Sequence, residues 1–185
     1  MHTFQPEAVT LYAFSELSEE AQARAIDTAS QDPYRGSDWD NEWRDSLTEA
    51  CKVLPMRVDR WEVNYCGSYA CAEFTEEYGY YQDAESLSGV RAWKWLHNNG
   101  IAEAIGEPGS CPFTGYTGDE SLLDPLRSFL RAPDACTLGE LMLQCADSWA
   151  QGWQTDIEWQ FSEECLREEL ESDDEEVYLA DGSRS

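Results

Sequence analysis

Along residues 39–54 the apolar side chains recur with the period of a helix. Trp39, Trp43, Leu47, Ala50, Cys51 and Leu54 fall at i, i+4, i+8, i+11, i+12 and i+15, while Asp38, Asp40, Glu42, Asp45 and Glu49 take other positions. That spacing draws one continuous stripe along an α-helix. The pattern predicts a helix over about 37–54, with Ser37 as N-cap and Pro55 disfavouring helical backbone at Leu54. One side builds core and the other displays carboxylates.

Alternation replaces that period further on. Trp61, Val63 and Tyr65 are separated by Glu62 and Asn64, Cys66-Gly67-Ser68 supplies a turn, and Tyr69, Cys71 and Glu73 alternate with Ala70, Ala72 and Phe74. Period two on both sides of a glycine-containing break predicts an antiparallel hairpin. The tyrosine-rich segment 78–81 reads equally as an extension of the sheet or an exposed loop.

The remaining elements follow from the same signals. The apolar run 8–14 reads as a strand or extended lead-in. Ser18 before Glu19 and Glu20, with Ala21, Ala25, Ile26 and Ala29 at helical spacing, predicts a helix over about 18–30. Val90, Trp93 and Leu96 mark a helix over 88–98, ended by Asn98-Asn99-Gly100. Four Gly and two Pro make 106–118 a loop, with Phe113 and Tyr116 turned inward. Asp124-Pro125 opens a short helix to about Arg131. Thr137 and Glu140 have capping-box spacing, and the helix they open carries Leu138, Leu141, Met142, Cys145, Trp149 and Trp153. Residues 155–161 also alternate, but continuation of that helix is preferred. Ser162-Glu163-Glu164 begins another short helix. Residues 175–179 before Asp181-Gly182 read as a terminal edge strand, so 173–185 is either that or a flexible tail. No repeat or linker divides the chain. The expectation is a single α+β domain over 1–185, a small antiparallel sheet packed with about five to six helices.

Charge changes this picture most. The 185 residues hold 38 Asp and Glu against 12 Lys and Arg, a formal net of -26. Duplex DNA carries about one negative charge per 1.7 Å of axis, so 26 charges match about 44 Å of duplex, roughly the span of a globule of this length. Such charge resists compaction and repels nucleic acid itself. Disorder is an insufficient explanation, because 42% of residues are hydrophobic and 12% aromatic, ample for a core. The excess sits at the two ends: 1–50 and 151–185 carry most of it, while 51–100 is nearly balanced. The run Asp173-Asp174-Glu175-Glu176 also reads as a simple solvated tail, and overall acidity as adaptation to high salt, favoured by only two Lys.

Candidate chemistry adds little. Seven Cys, at 51, 66, 71, 111, 136, 145 and 165, form no C-x-x-C pair and read as reduced, mostly structural thiols. Only His2 and His97 offer imidazole, so zinc is not expected, and the sequence has no calcium loop. G-x-S-x-G, P-loop and G-x-G-x-x-G motifs are absent, and His97 beside a helix C-terminus is a capping residue before it is a base. The expectation is a protein that is not an enzyme and uses no cofactor. No run is long enough to span a membrane, and residues 1–7 lack the form of a secretory signal, which points to the cytoplasm.

The stretch Leu11-Tyr12-Ala13-Phe14-Ser15-Glu16-Leu17-Ser18-Glu19-Glu20-Ala21, with Ala25-Ile26 following, resembles the opening of a family of small acidic phage and prophage proteins, often labelled hypothetical or antitoxin-like. The likeness continues in the Trp- and Asp-rich second helix, in 64–74 and in 161–182. The resemblance implies a mobile-element product acting in a bacterial host cytoplasm, and it brings no catalytic residues.

Charge and resemblance together lead to an anti-defence inhibitor that mimics DNA and occupies the basic groove of a host nucleic-acid-binding effector, such as a restriction or CRISPR protein. The carboxylates expected to meet that groove are Asp38, Asp40, Glu42, Asp45 and Glu49 on the second helix, and Glu163, Glu164, Glu168, Glu169, Glu171, Asp173, Asp174, Glu175 and Glu176 near the C-terminal end. The alternative is an antitoxin-like or host-modulating protein that binds a basic partner through an aromatic patch, Trp61, Tyr65, Tyr69 and Tyr80, without copying DNA.

Overall fold

The computed structural model describes residues 10–32, 37–75, 83–173 and 175–184, with the backbone alone at 37–39. Ala8 and Val9 of the expected lead-in, the 78–81 segment and the side chains of Ser37 and Trp39 lie outside the described residues. Those residues form seven α-helices and one two-stranded antiparallel sheet, an α+β fold. In chain order these are α1 (Glu19–Ser30), α2 (Ser37–Val53), β1 (Met56–Asn64), β2 (Gly67–Phe74), α3 (Gly89–Asn98), α4 (Ile101–Ala104), α5 (Thr117–Arg131), α6 (Leu138–Gln160) and α7 (Glu163–Ser172). They gather into two compact units, one of residues 36–157 and one of 1–35 with 158–185.

In the 36–157 unit the α2 stripe does what its spacing requires: Trp43, Leu47, Ala50 and Leu54 are buried and Cys51 is half-buried. They share a core with Ala92, Trp95 and Leu96 of α3 and with Leu138, Leu141, Met142, Cys145, Trp149 and Trp153 of α6. Val90, expected on the α3 stripe, is exposed instead, because Ala92, Trp95 and Leu96 define the inward face. Gly100 closes α3 with a left-handed φ of 74°. The Thr137–Glu140 capping box forms: Thr137 N–H donates to Glu140 Oε2 (2.8 Å) and Glu140 N–H to Thr137 Oγ1 (3.2 Å).

The hairpin contains one irregularity that decides its faces. Register runs Met56↔Phe74, Arg57↔Glu73 and Val58↔Ala72, then jumps at Asp59 to Arg60↔Cys71 and Trp61↔Ala70. The extra residue is a β-bulge. It moves the inward positions from even to odd numbers, so Val58, Trp61 and Val63 all pack on the core despite their uneven spacing. The chain reverses through Tyr65 and Cys66, one residue earlier than expected, and the Asn64 side chain accepts from Cys66 N–H at 2.8 Å.

Helix α5 corrects the expected short helix at 124–131. It begins at Thr117 and runs through Pro125. A proline there removes the N–H that would bond the carbonyl four residues back, and the orphan Ser121 carbonyl accepts instead from the Ser148 hydroxyl of α6 at 2.7 Å. The start is fixed by Asp119, fully buried, whose carboxylate accepts from Phe113 N–H (2.8 Å), Thr114 N–H (2.7 Å) and the Thr114 hydroxyl (2.9 Å). That hub turns Phe113 inward but leaves Tyr116 exposed, contrary to expectation.

In the other unit the Ser18 hydroxyl accepts from Ala21 N–H at 3.3 Å and opens α1. Ala21, Ala25, Ile26 and Ala29 pack with Leu166 and Leu170 of α7 around Phe14, Leu17 and Tyr178. The expected terminal edge strand reduces to isolated bridges. Tyr12 and Tyr178 exchange N–H···O bonds of 3.0 and 2.9 Å, and Tyr178 also bridges Arg184. Its neighbours are committed elsewhere: Asp173 Oδ1 takes the N–H groups of Glu175 and Glu176, and Leu179 N–H bonds Ser183 in a turn. Gly182, with φ 87°, closes that turn directly against α1, where an added Cβ would lie 2.1 Å from the Ala21 carbonyl oxygen.

The Ser148–Ser121 bond yields a test in two steps. Ser148→Ala should lower stability to urea by about 1–3 kcal/mol, the cost of an unpaired buried carbonyl. Much of that loss should vanish in a Pro125→Ala background, where residue 125 supplies the missing N–H.

Candidate partner-binding surface

Counted over sequence, the unit of residues 1–35 and 158–185 holds 17 acidic residues and four Arg, so about half of the net charge sits on a third of the chain. Its densest element is α7. Five Glu and one Arg occupy ten residues, and at 1.5 Å per residue this is about one net negative charge per 4 Å of axis. One strand of B-DNA carries about one per 3.4 Å.

Packing divides the α7 acids by role. Leu166 and Leu170 turn inward, which places Glu164, Glu168 and Glu171, at i, i+4 and i+7, on the opposite and exposed face. Glu163 pairs with Arg167 at 2.9 Å, and Arg167 also donates to Gln22 of α1 at 3.1 Å. Glu163 and Glu164 favour the positive N-terminal end of the helix dipole. Glu169 and Glu171 in the last turns oppose it, with no basic residue there to offset them. Like charges at i, i+4 spacing destabilise further. Within the row, Glu164 therefore suits the dipole, Glu171 opposes it, and Glu164 and Glu168 repel one another at i, i+4.

The acids after α7 serve structure as well as display. Asp173 organises the turn just described, and Glu175 is exposed. Glu176 is half-buried, pairs with Arg184 at 2.9 Å and accepts from the Tyr178 hydroxyl. Burial, followed by that carboxylate, drives the Tyr178 phenol well above its ordinary range. Glu169 is exposed, and Asp174 lies outside the described residues.

The second expected group, on α2, falls in the other unit, and two of its members are occupied. Asp40 accepts from the Trp153 indole N–H at 3.1 Å, and Glu49 pairs with Lys52. Asp45 is exposed, Glu42 half-buried, and the Asp38 side chain lies outside the described residues. Sequence reasoning missed the reciprocal bond, in which Trp43 donates to Asp156 at 3.0 Å. Its trace in the chain is a matched pair of motifs, Asp40-x-x-Trp43 in α2 and Trp153-x-x-Asp156 in α6. Net charge on α2 is also diluted by Arg44 and Lys52 over 17 residues.

The alternative aromatic patch does not assemble on one face. With a two-residue reversal, Trp61 pairs with Ala70 and Tyr69 with Glu62, so Trp61 and Tyr69 project from opposite faces of the hairpin. Trp61 packs inward, 5.6 Å from Trp149 and 5.1 Å from Trp153 between ring centroids. Tyr65 and Tyr69 are 65% and 49% exposed at the hairpin end, and Tyr80 lies outside the described residues.

All seven cysteines are free. Burial pushes the Cys145 thiol up to about 12 and raises Cys51, Cys111 and Cys136 as well, which leaves these four protonated and poorly nucleophilic near neutral pH. Among the described residues no group of three His, Cys, Asp or Glu side chains is placed to hold a metal ion, and no helix is long and apolar enough to cross a membrane. A scan of protein-family models finds none that matches this chain, and a search of solved structures finds no significant match.

Occupied and displayed carboxylates should respond oppositely to neutralisation. The double variant Glu168→Gln and Glu171→Gln should raise the thermal midpoint by about a degree or more at low ionic strength, a gain that shrinks in 0.5 M NaCl. Asp40→Ala, which strands an indole N–H, should lower stability by about 1–3 kcal/mol at either salt concentration. Thermal scans of both variants at two ionic strengths check the contrast.

Proposed function

We propose that this chain is a non-catalytic inhibitor that binds the basic, nucleic-acid-binding surface of another protein, with the α7 carboxylates standing in for phosphates. The observation that carries the reading is the exposed row Glu164, Glu168 and Glu171. It approaches the linear charge of one DNA strand, and the C-terminal part of α7 works against its own helix dipole. Charge such as that of Glu168 and Glu171, which does not stabilise its own helix, has its natural use in a complex, where Arg and Lys of a partner neutralise it. The resemblance to phage and prophage proteins supports a partner among host defence effectors, restriction or CRISPR proteins that hold DNA in a positive groove.

The second reading, docking through aromatic side chains without mimicry, draws on Tyr65 and Tyr69 alone, since Trp61 belongs to the core. Binding there would depend on shape, and charge would set mainly the association rate.

One experiment separates the two. Effectors captured on the immobilised chain are competed with duplex DNA and then retested against two variants. For mimicry, DNA and the chain exclude one another, affinity falls steeply with salt, and the triple variant Glu164→Gln, Glu168→Gln and Glu171→Gln loses at least ten-fold while Tyr65→Ala with Tyr69→Ala loses little. Simultaneous binding of chain and DNA to one effector overturns the reading, and loss confined to the tyrosine variant supports the second.

A further inference from the structure

Between α2 and β1 lies an open groove of about 410 Å³, walled by Arg44, Thr48 and Cys51 from one i, i+4, i+7 row of α2 and by Arg57, Val58 and Trp61 from β1. Its size falls in the range of small-ligand sites. On a chain of net -26, the described residues that line it include two guanidiniums and no carboxylate.

The two arginines differ. Arg57 is held by its neighbours, with Nε 2.9 Å from Asp59 and Nη2 2.8 Å from Glu73, so it forms a fixed, largely neutralised wall. Arg44 lies over the rings of Trp61 and Trp153, at 5.4 and 5.8 Å from their centroids, and has no carboxylate partner among the described residues. The acid one turn before it, Asp40, accepts from the Trp153 indole and forms no ion pair with Arg44, and Thr48 one turn after it bonds the Arg44 carbonyl oxygen. A guanidinium over indole rings keeps N–H donors for an anion. The rest of the groove is apolar or neutral: Val58, the Trp61 ring and the Cys51 thiol, which burial keeps protonated.

We propose that this groove binds a small organic monocarboxylate, its carboxylate on Arg44 and its flat or aliphatic body against Trp61 and Val58. One available guanidinium suits one negative charge. A polyanion, nucleic acid or acidic peptide would meet the repulsion of the whole chain, whereas a single small charge feels mainly the groove within a Debye length of about 8 Å. This site is independent of the α7 surface and does not rest on the function proposed for it.

The test uses 3-phenylpropionate and octanoate as probes, each paired with its neutral amide, with adenosine monophosphate as a dianion. Binding is followed by two-dimensional NMR of the Trp61 indole and the Leu47 and Val58 methyl groups. The expected result is saturable shifts at those groups with a millimolar or tighter dissociation constant, amides at least ten-fold weaker than acids, and adenosine monophosphate weaker than either acid. Arg44→Gln should erase the preference for acid over amide while the near-ultraviolet spectrum of the tryptophans stays folded. Equal binding of acid and amide to the unmodified chain, preference for the nucleotide, shifts that map elsewhere, or no shift up to 20 mM overturns the proposal, whether or not the Arg44 variant folds.

Discussion

Two tryptophans and two aspartates tie α2 to α6. Trp43 donates to Asp156 and Trp153 to Asp40, while Trp149 donates to the Trp43 carbonyl at 2.8 Å. Indole carries one obligatory donor on a large apolar body, so burying three of them side by side is favourable only if each N–H finds an acceptor. Here the acceptors are two carboxylates and one main-chain oxygen. With the donors satisfied, the Trp149 and Trp153 rings pack 5.3 Å apart between centroids, and Trp61 closes on them from the sheet at 5.6 and 5.1 Å. The close fit extends to Gly152, where an added Cβ would lie 2.9 Å from the Trp43 ring. This part of the fold rests on that satisfied aromatic cluster.

The same chemistry explains how a strongly anionic chain supports a core. Carboxylates that accept from indole or main-chain N–H groups, Asp40, Asp156 and Asp119, turn negative charge into specific packing. Others are offset by the few cations, as in Glu49 with Lys52, Glu73 with Arg57 and Glu176 with Arg184. Beside these, Glu164, Glu168 and Glu171 on α7 are exposed and form no such bond or ion pair among the described residues, and the proposed function rests on that contrast.

Much of this was legible in the sequence where the signal was local. The α2 stripe, the Ser18 and Ser162 caps, the Thr137–Glu140 box and the hairpin all depend on residues within a few positions of one another. Misreadings arose where a distant partner changed the local rule. Asp124-Pro125 has the form of a helix start, yet the helix passes through it because Ser148 takes the orphan carbonyl. The bulge at Asp59 depends on which face the core requires, and no short window shows it. Of the candidate surface, composition revealed the acidity but not its division. Only an indole 113 positions away distinguishes Asp40 from a displayed acid, and the opposite facing of Trp61 and Tyr69 follows from the length of one reversal.

The smaller unit draws on stretches far apart along the chain: α1 meets α7, and Arg167 reaches back 145 positions to Gln22. During synthesis, every residue of the tryptophan-rich unit joins the chain before α7 does. Residues 10–32 therefore wait without their packing partner until translation has passed the last turn of α7. A nascent chain interrupted before that point holds the residues of the aromatic core but neither the charge row nor the packing partner of α1.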